Sequence, residues 1–220
     1  MEIVYEDAVK RKDYVLKVEE RDPAKFLIPP YYKRFIKSVV VDEDEIEQRA
    51  AVLAEQIADY YKDRPYYMLV TLKGAVDTYA IVAKYLKRIY GSGKYNNCIR
   101  PEYIRAKSYQ NTGTTGVVTL NQTSDSFSVK DKEILIVEDI VDTGTTIRKL
   151  HEKMLEDGAK SIKILTMTIK EDLKDINVDF IGFKVPNAFL VGFGLDYNEC
   201  MRDLSCIAVI NEEGIEAFKL

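Results

Sequence analysis

Two hydrophobic periods alternate along this chain. Over residues 42–62 the apolar positions Ile46, Ala50, Leu53 and Ile57 recur at spacings of three and four behind an acidic first turn, which predicts an amphipathic helix. The unbroken run Tyr67-Met68-Leu69-Val70-Thr71-Leu72 then predicts a buried strand. After Lys73-Gly74 the helical period returns through Ala75, Tyr79, Val82 and Leu86 and stops near the breaker Gly91-Ser92-Gly93. A strand is expected over 99–106. Residues 108–128 are polar and rich in Gly, Thr and Ser, too long for a plain connector, and read as a functional loop or flap. A strand over 134–137, a helix over 145–156 stopped by Gly158 and a strand over 162–168 follow. Strands and helices joined in this order by short turns predict an α/β fold with right-handed crossovers and a mostly parallel sheet. Ligands of such sheets bind beyond the carboxyl ends of the strands, so the turns after Leu72, Ala106 and Val137 hold the candidate chemistry.

Composition narrows the classes. The 220 residues, 46% hydrophobic and 31% charged, suffice for one domain with an elaboration. A formal charge of −4 provides no global positive field, so nucleic acid is not expected as a partner. The charged opening MEIVYEDAVKRKDYVLKVEE has no signal-peptide core, and no run approaches the ~18 apolar residues of a membrane span. Cys98, Cys200 and Cys206 form no CxxC pair and suit reduced thiols in the cytosol. His151 is the only histidine, so no histidine-based triad is expected.

The segment from Val137 to Thr146 carries the most specific signal. Gly144 lets the backbone approach an anion, the amides of a helix start point at it, and the hydroxyls of Thr143, Thr145 and Thr146 add donors. Glu138 and Asp139 stand just ahead, placed to accept from sugar hydroxyls and to hold a magnesium ion. A phosphate cradle one sugar away from a diol site describes ribose 5-phosphate. The plain alternative is an acidic turn in which Asp142 or Thr143 only caps a helix. The chain has no GxxxxGK[ST] loop and no helix-opening GxGxxG, which disfavours a nucleoside triphosphatase or a dinucleotide binder.

This segment resembles the phosphoribosyl-pyrophosphate signature of the type I phosphoribosyltransferases. Leu72-Lys73-Gly74-Ala75, Lys107-Ser108-Tyr109, and the stretch from Phe189 through Asp196 to Arg202-Asp203-Leu204 are similar to the hypoxanthine-guanine branch in order and spacing. The resemblance implies one domain over 1–220: a core over about 40–170, and a small hood from about 1–40 and 170–220. It implies magnesium-dependent transfer of 5-phosphoribosyl to a 6-oxopurine base, with Asp142 accepting the proton at purine N7. Glu138, Asp139, Asp142, Thr143, Gly144, Thr145 and Thr146 would hold the ribose 5-phosphate. Lys73, Gly74, Ser108, Tyr109 and Arg202 would hold pyrophosphate, and the Lys73 turn is expected to carry a non-proline cis peptide. Lys170, Phe189, Leu190 and Asp196 would surround the base, with Lys170 donating to O6. Glu138, Asp139 and Asp196 would be the metal ligands. A homodimer or homotetramer in the cytoplasm is implied as well.

Three rivals stay open on the residues alone. The same reaction could include xanthine or leave out guanine. A regulatory sensor of the same fold would bind donor and nucleic acid without turnover, and it would be expected to lose the acid at Asp142 or gain a basic face. A phosphatase or kinase using the acidic pair would need a nucleophile or nucleotide loop that the chain lacks.

Overall fold

The computed structural model describes residues 16–91, 93–108, 118–122, 127–173 and 176–220. Its large sheet is built from β1 (Leu16–Lys17), β3 (Tyr66–Thr71), β4 (Ile99–Ser108), β5 (Val118–Gln122), β6 (Glu133–Val141), β7 (Ser161–Lys170) and β8 (Phe180–Val185). The strand order is β1-β8-β7-β6-β3-β4-β5. Every neighbouring pair is parallel except β4 with β5. A second sheet, in the order β2-β10-β9, joins β2 (Ile36–Val41), β9 (Leu190–Val191) and β10 (Ile207–Ile210) in antiparallel fashion. The helices are the short α1 (Pro30–Lys33) and α4 (Lys94–Cys98), the longer α2 (Glu43–Tyr61), α3 (Ala75–Tyr90) and α5 (Thr145–Glu156), and α6 (Glu212–Ala217) near the C-terminus.

Helix α2 starts where the sequence demands. Asp42 accepts from the Glu45 amide at 2.9 Å while Glu45 accepts from the Asp42 amide at 2.8 Å, a reciprocal cap. Its apolar stripe and that of α3 cover one face of the sheet through Ile46, Leu53, Ile57, Val82 and Leu86. Helix α5 covers the other face through Ile147, Leu150 and Met154. The faces follow from the topology. The β3-α3-β4 crossover moves one way along the sheet and β6-α5-β7 moves the other, so right-handedness puts α3 and α5 on opposite sides. Adjacent β3 and β6 therefore flank a topological switch point, and a crevice opens beyond their carboxyl ends.

Several expectations change. Strand β6 runs four residues past Val137 and takes in Glu138 and Asp139, so the acidic pair lies within the strand and not after it. The side-chain alternation also inverts there: Leu135 and Val137 pack on the α2/α3 side, Ile134 and Ile136 on the α5 side, yet Ile140 packs with the first group and Val141 with the second. Lys170 is the last residue of β7 and not a residue beyond it. Part of the 108–128 stretch is the antiparallel strand β5, which ends the sheet. Residues 180–185, inside the span assigned to the hood, join the large sheet as β8.

Candidate active site

The turn after β3 and the end of β6 meet at the switch point. The Thr71 hydroxyl lies 2.7 Å from Glu138 Oε2 and 2.9 Å from the Val137 carbonyl oxygen. It has one proton for two acceptors; a protonated Glu138 donating to Thr71 Oγ1 would satisfy both. Burial, then the charge of Asp139, raises the Glu138 carboxyl above the usual range, with Thr71 opposing. Asp139 turns toward the β3 turn: a Cβ on Gly74 would sit 1.6 Å from Asp139 Oδ2. Burial raises this carboxyl too, against the Ile140 amide, which donates to Oδ1 at 2.8 Å, and against the charge of Arg202. Thr168 on β7 donates to the Asp139 carbonyl at 3.0 Å.

Beyond the pair, residues from Glu138 to Ile147 line a hollow of about 270 Å³. Gly144 stands at φ +75 as the N-cap of α5 and contributes no side-chain cap, and the first turn holds no acidic residue. The leading amides therefore remain largely available to an anion. Among the described residues only the Thr145 amide finds a local side-chain partner, a long 3.4 Å bond to Thr143 Oγ1. Ile176 closes over the loop, since a Cβ on Gly144 would come within 2.7 Å of its Cδ1. A larger hollow of about 340 Å³ beside His151, Lys163 and Asp179 shares only Ile147 with this one and contains none of the sequence candidates.

The facing wall is built from distant segments. The Leu72–Lys73 peptide is cis. A Cβ on Gly194 would lie 2.1 Å from the Gly74 carbonyl oxygen, so the two backbones touch. Arg202 donates to the Gly194 carbonyl at 2.6 Å and pairs with Asp196 at 2.6 Å. Lys73 pairs with Glu199 at 2.7 Å. Ser108 ends β4; its side chain and all of Tyr109 lie outside the described residues, so neither expectation is met or refuted.

On the base side, Lys170 is buried and donates to the carbonyls of Pro186, at 3.2 Å, and Ala188. Burial lowers its pKa, opposed by the charges of Asp142 and Asp172. Asp142 itself is exposed just past β6. The Phe189 ring is 53% exposed and meets Tyr197 edge-on at 5.2 Å, while Leu190 is buried in β9.

Among the described residues no three carboxylates gather as a metal set. Glu138 Oε2 bonds Thr71, and Asp196 Oδ1 pairs with Arg202. Thr71, Thr168, Ile176 and Gly194 were missed as site-builders. Thr71 had a signal, as the one threonine in an apolar run; Ile176 had none.

The comparisons agree with this geometry. A family model described as a phosphoribosyl transferase domain matches residues 40–198. A hypoxanthine-guanine-xanthine phosphoribosyltransferase of Plasmodium falciparum is 36% identical over 200 residues, covering 88% of this chain and 86% of that protein. The dog hypoxanthine-guanine phosphoribosyltransferase is 32% identical, covering 88% and 90%. The Schistosoma mansoni hypoxanthine-guanine phosphoribosyltransferase, solved in complex with IMP, superimposes with a TM-score of 0.75 at 29% identity, covering 93% of this chain and 99% of that one. The chain belongs to the phosphoribosyltransferase family, in its hypoxanthine-guanine branch.

Proposed function

We propose that the enzyme transfers 5-phosphoribosyl from phosphoribosyl pyrophosphate to hypoxanthine or guanine, giving IMP or GMP and pyrophosphate in purine salvage. The observation that supports this most is one crevice with an anion cradle at the start of α5 on one wall and Lys73 and Arg202 on the other. Two anion sites flanking a buried acidic pair suit a sugar that carries a 5-phosphate and a pyrophosphate.

In this reading the loop from Asp142 to Thr146 wraps the 5-phosphate, and Glu138 and Asp139 accept from the ribose hydroxyls. Lys73, Gly74 and Arg202, with Ser108 and Tyr109, hold pyrophosphate. Carboxylate oxygens suit magnesium, and Asp139 and Asp196 lie close enough for the charge of one to act on the other. These two would be its protein ligands, and the ion would neutralise charge on the departing pyrophosphate. Lys170 has three protons and spends two on carbonyls, so one remains for the O6 of an oxopurine. The amino group of adenine would meet that donor with another donor. Phe189 stacks on the purine, and the Leu190 carbonyl accepts from the 2-amino group of guanine. Asp142 takes the N7 proton as the base attacks. The same reading makes the enzyme a cytosolic homodimer or homotetramer, with its three cysteines reduced.

A spectrophotometric assay with donor and magnesium, offering hypoxanthine, guanine, xanthine and adenine separately, tests this reading. Hypoxanthine and guanine should react and adenine should not. Asp142→Asn should lose on the order of 10²-fold or more in kcat while still binding donor. Donor binding without turnover on any base would make the chain a sensor instead. The name of the Plasmodium relative includes xanthine, which favours that base as a further substrate.

A further inference from the structure

The two cations of the facing wall are joined by one carboxylate. Glu199 places Oε2 at 2.7 Å from Lys73 Nζ and Oε1 at 3.4 Å from Arg202 Nη2, so its two oxygens span both side chains. Nothing in the reaction as read above uses Glu199. Its backbone adds an independent observation. Tyr197 and Cys200 exchange backbone hydrogen bonds at 3.2 and 3.0 Å, closing a two-residue hairpin with Asn198 at φ +49 and Glu199 at φ +67. Both central residues are left-handed, the pattern of a type I′ turn, whose second central position favours glycine. A glutamate there is a conformational cost that the turn itself does not need, which directs attention to what its carboxylate does.

We infer that Glu199 is an internal counter-anion: it occupies the cationic subsite of the wall in the absence of ligand, and an incoming pyrophosphate group displaces it from Lys73 and Arg202. The inference rests on the proposed role of those two residues. Glu199 then sets how tightly the donor and the released pyrophosphate are held without touching either. Lys73 and Glu199 are both well exposed, so the competition is modest.

Calorimetric titration with inorganic pyrophosphate in magnesium buffer tests this on the full chain. Glu199→Gln and Glu199→Gly should each bind roughly two- to five-fold tighter than the parent. That ratio should fall toward one in 0.5 M KCl, where the ion pairs are screened. Glu199→Gly should melt at or above the parent temperature, since it relaxes the turn. Unchanged or weaker binding in both variants overturns the inference. Lys73→Met separates this from failure of the site reading. If Lys73→Met weakens pyrophosphate binding and removes most of the gain from Glu199→Gln, both stand. If it weakens binding while Glu199→Gln has no effect in the parent, the inference alone fails. If Lys73→Met changes nothing, the pyrophosphate role of Lys73 fails and the inference falls with it.

Discussion

The two walls of the crevice are built by opposite strategies. The cradle wall is one continuous segment, Glu138 to Thr146, in which a strand end, a left-handed glycine and a helix start present backbone amides. The facing wall is assembled from residues 71–74 and 189–202, held by backbone contact between Gly74 and Gly194 and by ion pairs among Lys73, Asp196, Glu199 and Arg202. A wall made of backbone is written in local sequence order and tolerates side-chain change. A wall made of long-range contact depends on a few positions where nothing larger fits.

The largest effect should come from the contact between the two glycines. Gly194→Ala adds a Cβ at 2.1 Å from a backbone oxygen, at φ +88, and neither problem has a rotamer solution. We expect a loss of about 3 kcal/mol or more, from backbone strain and overpacking together. The midpoint in a thermal scan should drop by roughly 6–12 °C. Displacing the Lys73 turn should also cost on the order of 10²-fold in kcat/KM. Near-parental melting and turnover would show that the wall is not clamped there.

The cradle offers a milder counterpart. Gly144→Ala meets only the tip of Ile176, a side chain that can move, and pays for φ +75 at about 1–2 kcal/mol. The donor KM should rise roughly ten-fold with a smaller change in kcat, as expected for lost ground-state binding of the phosphate. Adding Ile176→Ala should recover part of that loss, because it removes the contact but not the backbone cost. No recovery would mean that the backbone conformation alone accounts for the effect.

This contrast also explains what was legible in the sequence. Helix α5 was readable from Thr145 to Glu156 because its period, its opening glycine and its stop at Gly158 all lie within one local stretch. The cradle was readable for the same reason. The divergence of Glu138 and Asp139 was not, because the phase inversion of β6 depends on how β7 and the β3 turn pack beside it. Nor was the membership of residues 180–185 in the large sheet, since six residues of burial pattern do not say which neighbour they pair with. Glu199 lay in plain view within a matched motif, but its partner Lys73 is 126 positions away.

The smallest effect separates the walls by pH. Lys170 lies between them, and burial holds its pKa below the usual 10.5 while Asp142 and Asp172 oppose the shift. With the folded value below the unfolded one, the unfolded chain binds more protons between the two. Stability from this residue must therefore rise with pH from the lowered value up to about 10.5. Burial makes its charged form costlier in the folded state than in the unfolded one. Lys170→Met should remove that component, so urea midpoints measured from pH 7.5 to 10 should rise more in the parent than in the variant. The same variant should lose its preference for oxopurines over adenine. A variant with the parental pH slope would mean that the ammonium carries no desolvation cost, and that the carbonyls of Pro186 and Ala188 satisfy it fully before any base arrives.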